Sequence, residues 1–375
     1  MENDYGLILE RYDAENRFRK IPSDRTDSPL IDLVSNDYLG LGARWKDFLP
    51  EFQHRFPDAS FSSSASRLLS QRQVDFFHLE NLLETLYNKS ILLFNSGYHA
   101  NVGITQSLNI PGTLFLSDKL IHASMIDGLR LASADYHIWS HNDIDSLKEL
   151  LNKHSDRPRC VVMLESIYSM DGDISPLREI VDLKKLFPNM IIYLDEAHGF
   201  GCFGNKGLGL AEELGILDEI DILVGTLGKA AASCGAFVAT SETMKHYFIN
   251  SARSFIFSTA IPPVNIAWSR LMIEHIIMMT DEREHLKRIS DLFREGIEEI
   301  TGMQNPSRSQ IIPLMIGDAE QALHVASRLT LKGVDALAIR RPSVPPGGER
   351  IRFSLSAKLS EREINQILQK IKECL

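Results

Sequence analysis

The chain has few cysteines, no long apolar run and no surplus of positive charge, and each shortage removes a class of function. Its four cysteines, Cys160, Cys202, Cys234 and Cys374, are scattered through 375 residues. They form no CxxC pair, so neither a disulfide framework nor a thiolate metal site is expected. Lys and Arg number 40 against 50 Asp and Glu, a formal net charge of −10. No basic block offers a footprint for a polyanionic backbone, so nucleic acid is not an expected partner. No run of about 18 apolar residues exists to span a membrane. Met1–Tyr12 alternates acidic and apolar residues instead of presenting a basic stretch, an apolar stretch and a small-residue cleavage site. The expectation is a cytoplasmic protein that does not engage membranes.

What is present is enough apolar sequence, 44% of the residues, to bury a large core and to build more than one domain. Short apolar runs predict strands at Ile91–Phe94, Thr113–Leu116, Tyr136–Trp139, Cys160–Leu164, Met190–Leu194, Ile222–Thr226 and Gly235–Ala239. Segments of helical period lie between them at Val74–Asn88, His99–Leu108, Ala123–Ala132, Asp143–Asn152 and Leu177–Leu186. This alternation predicts an α/β fold: a large doubly wound domain with a mostly parallel sheet. From Ala267 to Arg294 the pattern turns into one long helix, followed by strands at Ile311–Ile316, Val334–Ile339 and Arg350–Ser356. The expected domains are therefore an N-terminal element over 1–45, with a charged helix and an extended Leu30–Val34, a large domain over 46–266 and a smaller α+β domain over 267–375. Pro342–Gly348 reads as a loop.

In open α/β sheets, ligands gather beyond the carboxyl ends of strands. Three polar groups stand there: Asp195-Glu196-Ala197-His198 after Met190–Leu194, Leu227-Gly228-Lys229 after Ile222–Thr226, and Glu165 leading to Ser169-Met170-Asp171-Gly172-Asp173 after Cys160–Leu164. An acid, a histidine three residues on and a lysine at the next strand end suit a pyridinium cofactor. The acid keeps the ring nitrogen protonated, and the lysine forms the imine and then carries the substrate proton. Asp-Glu-Ala-His also spells a nucleotide-hydrolase box, but that chemistry needs G-x-x-x-x-G-K-[ST]. Here Lys229 is followed by Ala230, and Leu223 stands five positions before Gly228. Ser96-Gly97-Tyr98, at a strand-to-helix junction, offers backbone N–H groups for a phosphate.

These motifs, with Ser35-Asn36-Asp37-Tyr38-Leu39-Gly40-Leu41, Asp118 to Ser124 and Arg350-Ile351-Arg352, follow one another across nearly the whole chain. In that order they resemble the α-oxoamine synthases, pyridoxal-phosphate enzymes of the aspartate-aminotransferase-like fold (fold type I). The resemblance implies pyridoxal 5'-phosphate as cofactor, with Lys229 as the Schiff-base lysine, Asp195 on the pyridine nitrogen, His198 on the ring hydroxyl and His122 stacked on the ring. It also implies Gly97 and Tyr98 lining the pocket, Ser169 and Thr226 supporting ring and phosphate, and Ser258 and Thr259 reaching the neighbour's phosphate in a homodimer. Asn36, Arg352 and Ser354 would hold substrate, together with an N-terminal arginine, Arg19 or Arg17.

The activity so implied is acyltransfer that makes a carbon–carbon bond between an amino acid and an acyl-CoA or acyl-carrier-protein thioester. The Ser35–Leu41 motif and Ser64–Leu68 resemble most the members that join L-alanine to a pimeloyl thioester. Glycine C-acetyltransferase chemistry, more distantly an aminotransferase, and a catalytically silent dimeric binding protein stand as alternatives.

Overall fold

The computed structural model describes residues 2–21, 30–70 and 73–375 and divides into two compact units. One comprises residues 37–169 and 174–284; the other comprises 1–36, 170–173 and 285–375. In chain order the strands are β1 (Ile31–Asp32), β2 (Ser90–Phe94), β3 (Thr113–Asp118), β4 (Tyr136–Trp139), β5 (Arg159–Glu165), β6 (Met190–Asp195), β7 (Ile222–Thr226), β8 (Ala236–Thr240), β9 (Ile311–Met315), β10 (Val334–Asp335), β11 (Leu337–Ile339) and β12 (Arg350–Ser354).

The larger unit is built on a seven-stranded sheet in the order β2-β8-β7-β6-β5-β3-β4. Strands β3 to β7 pair in parallel, and β8 runs antiparallel to both its neighbours. Strands buried on both faces need apolar residues at every position rather than alternation. β5, with Cys160 to Leu164 all at zero exposure, shows why its run has no polar period. Phe115, Val161, Met163, Tyr193, Val224 and Val238 meet helix residues Ile104, Met125 and Phe248 in one core cluster.

Three strands extend beyond their expected ends, to Asp118, Glu165 and Asp195. Each of these acids is a buried last strand residue rather than the first residue of a loop. Helices start where polar caps accept backbone N–H groups: Ser96 from His99, His122 from Ser124, Asp143 from Ser146.

The expected helix over 267–294 is instead two helices, Pro263–Ile276 and Thr280–Thr301. Asp281 and Glu282 fill the first turn of the second helix, where acids favour a new N-terminus. The buried Arg283 guanidinium donates to Ile276 O at 2.6 Å, and Met279 N donates to the same carbonyl, so both hold the break.

The smaller unit holds the antiparallel sheet β11-β12-β9 and the parallel pair β1-β10. That pairing corrects the expected separate N-terminal element. Ile31 pairs with Val334 and Asp32 with Asp335, and Ser354 N donates to Leu33 O, so the extended segment is a strand of the C-terminal unit. The expected strand over 334–339 is split in two at Ala336. Met170–Asp173 belongs to this unit as well. Gly172 has φ +67°, its carbonyl accepts from Arg308 N and Ser309 Oγ, and a Cβ there would lie 1.9 Å from Ile311 O. Asp171 pairs with Arg350.

Candidate active site

Lys229 sits in the turn that follows β7. Ala232 N donates to Lys229 O, Ser233 N to Leu227 O and Leu227 N to Gly235 O, which closes the turn on itself. Ala232 takes φ +47° at its tip. Lys229 Nζ lies 2.9 Å from His198 Nε2, and His198 Nδ1 lies 2.6 Å from Tyr38 Oη. An ammonium at Lys229 has only protons to give, so Nε2 accepts and the Nδ1 proton is left for Tyr38. His198 and Tyr38 are both buried.

Asp195 closes β6 with its carboxylate held by two neutral donors: Asn101 Nδ2 at 2.8 Å on Oδ2 and Ala197 N at 2.8 Å on Oδ1. The network runs on, because Tyr193 Oη donates to Asn101 Oδ1 and Asn101 Nδ2 also reaches Ser124 Oγ. Ser124 Oγ in turn lies 2.7 Å from His122 Nδ1. Ser124 N donates to the same nitrogen, so the neutral ring carries its proton on Nε2. Desolvation of the His122 ring lowers its pKa. Lys229 adds to that and Asp195 opposes it. Glu196, wholly buried, accepts from Ser166 Oγ and Ala211 N, and burial raises its pKa to about 7.

Gly97 begins the helix Gly97–Leu108, and a Cβ there would lie 2.7 Å from Thr226 Cγ2. Glycine at 97 is thus what lets the helix N-terminus approach the end of β7. Tyr98 is half-exposed and donates to Asp127 Oδ2 at 2.8 Å. Thr259 O accepts from Asn95 Nδ2, and Thr259 bridges to Ser66, which places the Ser258-Thr259 pair beside the end of β2. Ser169 lies in the turn closed by the Ile167–Ile174 bridge.

In the smaller unit Asn36, Arg352 and Ser354 form one cluster. Arg352 Nη1 donates to Ser354 Oγ at 2.6 Å and Nη2 to Asn36 Oδ1 at 3.2 Å, with Ser354 Oγ 3.3 Å from Asn36 Oδ1. The two N-terminal candidates differ. Arg17 pairs with Glu15 at 2.7 Å and stacks on Tyr12, while Arg19 donates to Ser343 Oγ.

The class I and II aminotransferase family model matches residues 28–371. Provisionally named 8-amino-7-oxononanoate synthases from Haemophilus influenzae and Neisseria meningitidis are each 42% identical to this chain over 371 residues. Each match covers 96% of this chain and 97% of the relative. The chain is an α-oxoamine synthase of that aminotransferase family. Serine palmitoyltransferase from Sphingomonas wittichii superposes with TM-score 0.89 at 28% identity, covering 98% of this chain and 96% of that one. The Francisella tularensis 8-amino-7-oxononanoate synthase gives 0.77 at 25%, covering 92% and 97%. The fold is accordingly the fold type I arrangement expected from the motifs, and the chain is a pyridoxal-phosphate-dependent enzyme of the acyltransferase type.

The residues present fit that cofactor. The Asp195 carboxylate oxygens accept from two neutral donors, an amine stands at Lys229, and the helix N-terminus at Gly97 offers N–H groups to a phosphate. Sequence reasoning did not single out Tyr38, Asn101 and Ser124 as members of the site. Tyr38 and Ser124 lie inside motifs it had marked and Asn101 lies in the helix predicted over His99–Leu108, but their partners are 160, 94 and 23 residues away in the chain for Tyr38–His198, Asn101–Asp195 and Asn101–Ser124.

Proposed function

We propose that this α-oxoamine synthase condenses L-alanine with a pimeloyl thioester, releasing thiol and carbon dioxide and forming 8-amino-7-oxononanoate, a step of biotin synthesis. The Lys229–His198 contact carries the chemical part of this reading. The substrate pair is supported by relatives of that name that match the chain end to end.

Pyridoxal phosphate, held at the Lys229 amine, would supply a ring able to take up the electron pair left on the substrate α-carbon. Asp195, buried at the end of β6, would hold a proton at the pyridine nitrogen. His198, backed by Tyr38, would hold the ring hydroxyl, and His122 would cover one ring face. Gly97, Tyr98, Ser169 and Thr226 would hold the ring and phosphate. Once displaced by substrate, Lys229 Nζ takes the alanine α-proton and later returns one to the same carbon. The Arg352 fork, set by Asn36 and Ser354, suits a carboxylate bidentately, and Arg19 is the second cation for substrate.

The working form is a homodimer, with Ser258 and Thr259 reaching the partner's phosphate. Around that loop Phe61, Leu69 and Phe257 are 84%, 76% and 70% exposed, apolar area that a second copy would cover. The location is cytoplasmic, consistent with four free cysteines.

The test is the visible spectrum of the purified protein titrated with L-alanine, glycine and L-serine. A cofactor band that responds to alanine ahead of the others supports this reading. A response to glycine alone moves the activity to the C-acetyltransferase, and no band after adding pyridoxal phosphate overturns it.

A further inference from the structure

His122 is delivered by the turn over residues 119–121, between the end of β3 and the helix Ala123–Leu131. Asp118 closes β3 and is 1% exposed. Its Oδ1 accepts from Leu120 N at 2.7 Å and its backbone O from Ile121 N at 3.4 Å, so the turn is folded back onto the residue that starts it. The same carboxyl reaches a second loop. Oδ2 accepts from Asn142 N at 3.1 Å, and Oδ1 lies 2.9 Å from His141 Nδ1. That loop is itself anchored, because Asn142 takes φ +52° and its Nδ2 donates to Ile174 O at 3.3 Å.

We propose that Asp118 is a positioning residue for His122: by clamping the Leu120 turn to the His141–Asn142 loop, it sets where the His122 imidazole stands. The inference rests on the reading of His122 as the residue that covers one face of the cofactor ring.

Other contacts hold the far side of His122. Ile121 and Met125 lie in the core cluster, Ser124 Oγ stands 2.7 Å from His122 Nδ1, and Asn101 Nδ2 joins that hydroxyl to Asp195 Oδ2. These contacts leave open the path by which the chain enters the helix, and Asp118 supplies it. An apolar residue of similar size would cost less to bury, but it would leave Leu120 N and Asn142 N without this acceptor.

The test compares the full-length wild type with Asp118→Ala, Asp118→Asn and His122→Ala. NMR of the imidazole groups, with and without added pyridoxal phosphate, reads His122 directly, its signals being those that His122→Ala removes. Asp118→Ala should displace them in both states. Asp118→Asn keeps an oxygen for Leu120 N and should hold them closer to their wild-type positions. Wild-type positions in Asp118→Ala would overturn the proposal. Should Asp118→Ala fail to fold, Asp118→Ser, whose short hydroxyl cannot serve both loops, is read in its place.

Turnover supplies the second readout. Asp118→Ala should lower kcat about ten-fold with KM for the thioester unchanged, and Asp118→Asn should recover most of that loss. In the His122→Ala background, Asp118→Ala should cost less than about two-fold. A loss of about ten-fold in that background would show a general structural effect and overturn action through His122. If His122→Ala alone keeps wild-type kcat, the reading of His122 as a ring-covering residue fails, and the imidazole signals by themselves decide whether Asp118 places it.

Discussion

Lys229 Nζ and His198 Nε2 stand 2.9 Å apart, and the far nitrogen of the same imidazole is held by Tyr38. The amine proposed for the chemistry is thus held by a ring that is itself held by a phenol. A disturbance at Tyr38 should therefore reach Lys229 without touching it.

Tyr38→Phe removes a buried hydrogen bond worth about 1–2 kcal/mol and frees the His198 ring to turn. Titration of the purified variant with pyridoxal phosphate should show cofactor affinity reduced by roughly ten-fold, with the fold unchanged by circular dichroism. Wild-type affinity would mean that Tyr38 does not orient His198.

Arg352→Ala takes a charged fork away from Asn36 and Ser354. KM for the amino acid should rise roughly ten- to hundred-fold, the effect of a charge-assisted hydrogen bond, while the cofactor spectrum stays as in wild type. Arg352→Lys should recover only part of the loss, because an ammonium lacks the planar fork. Parallel loss of cofactor would remove Arg352 from the substrate role.

Gly97→Ala puts a Cβ 2.7 Å from Thr226 Cγ2. The helix N-terminus must then withdraw from β7, and cofactor retention should fall. Thr226→Ser deletes the methyl group in the way, so the double variant should retain more cofactor than Gly97→Ala alone, a coupling of about 1 kcal/mol in the double-mutant cycle. Additive effects would show that the two residues do not meet.

Burial raises the Glu196 carboxyl from the usual 4.5 to about 7. Its folded pKa lies above its unfolded one, so its contribution is full below pH 4.5 and is lost as pH rises through about 7. Thermal unfolding of wild type should show stability declining by about 3 kcal/mol from this group across that window. Glu196→Gln should flatten the decline. An unchanged slope would mean that Glu196 is ionised in the folded chain.

Much of the larger unit is legible in the amino-acid order. β4 and β7 have the bounds that their apolar runs predict, and Asp195 and Lys229 stand at strand ends because a parallel strand buried on both faces admits a polar residue only where it leaves the core. The chain order of the motifs also carries the family and, through it, the cofactor.

Tertiary structure alone decided the pairings. Which acid among Asp118, Glu165 and Asp195 receives donors depends on helices and loops that arrive from far along the chain, as Asn101 does for Asp195. The break at 277–279 and the pairing of β1 with β10 were equally hidden. Periodicity records how deeply each residue is buried, whereas hydrogen-bond partners depend on where the chain path brings distant segments together.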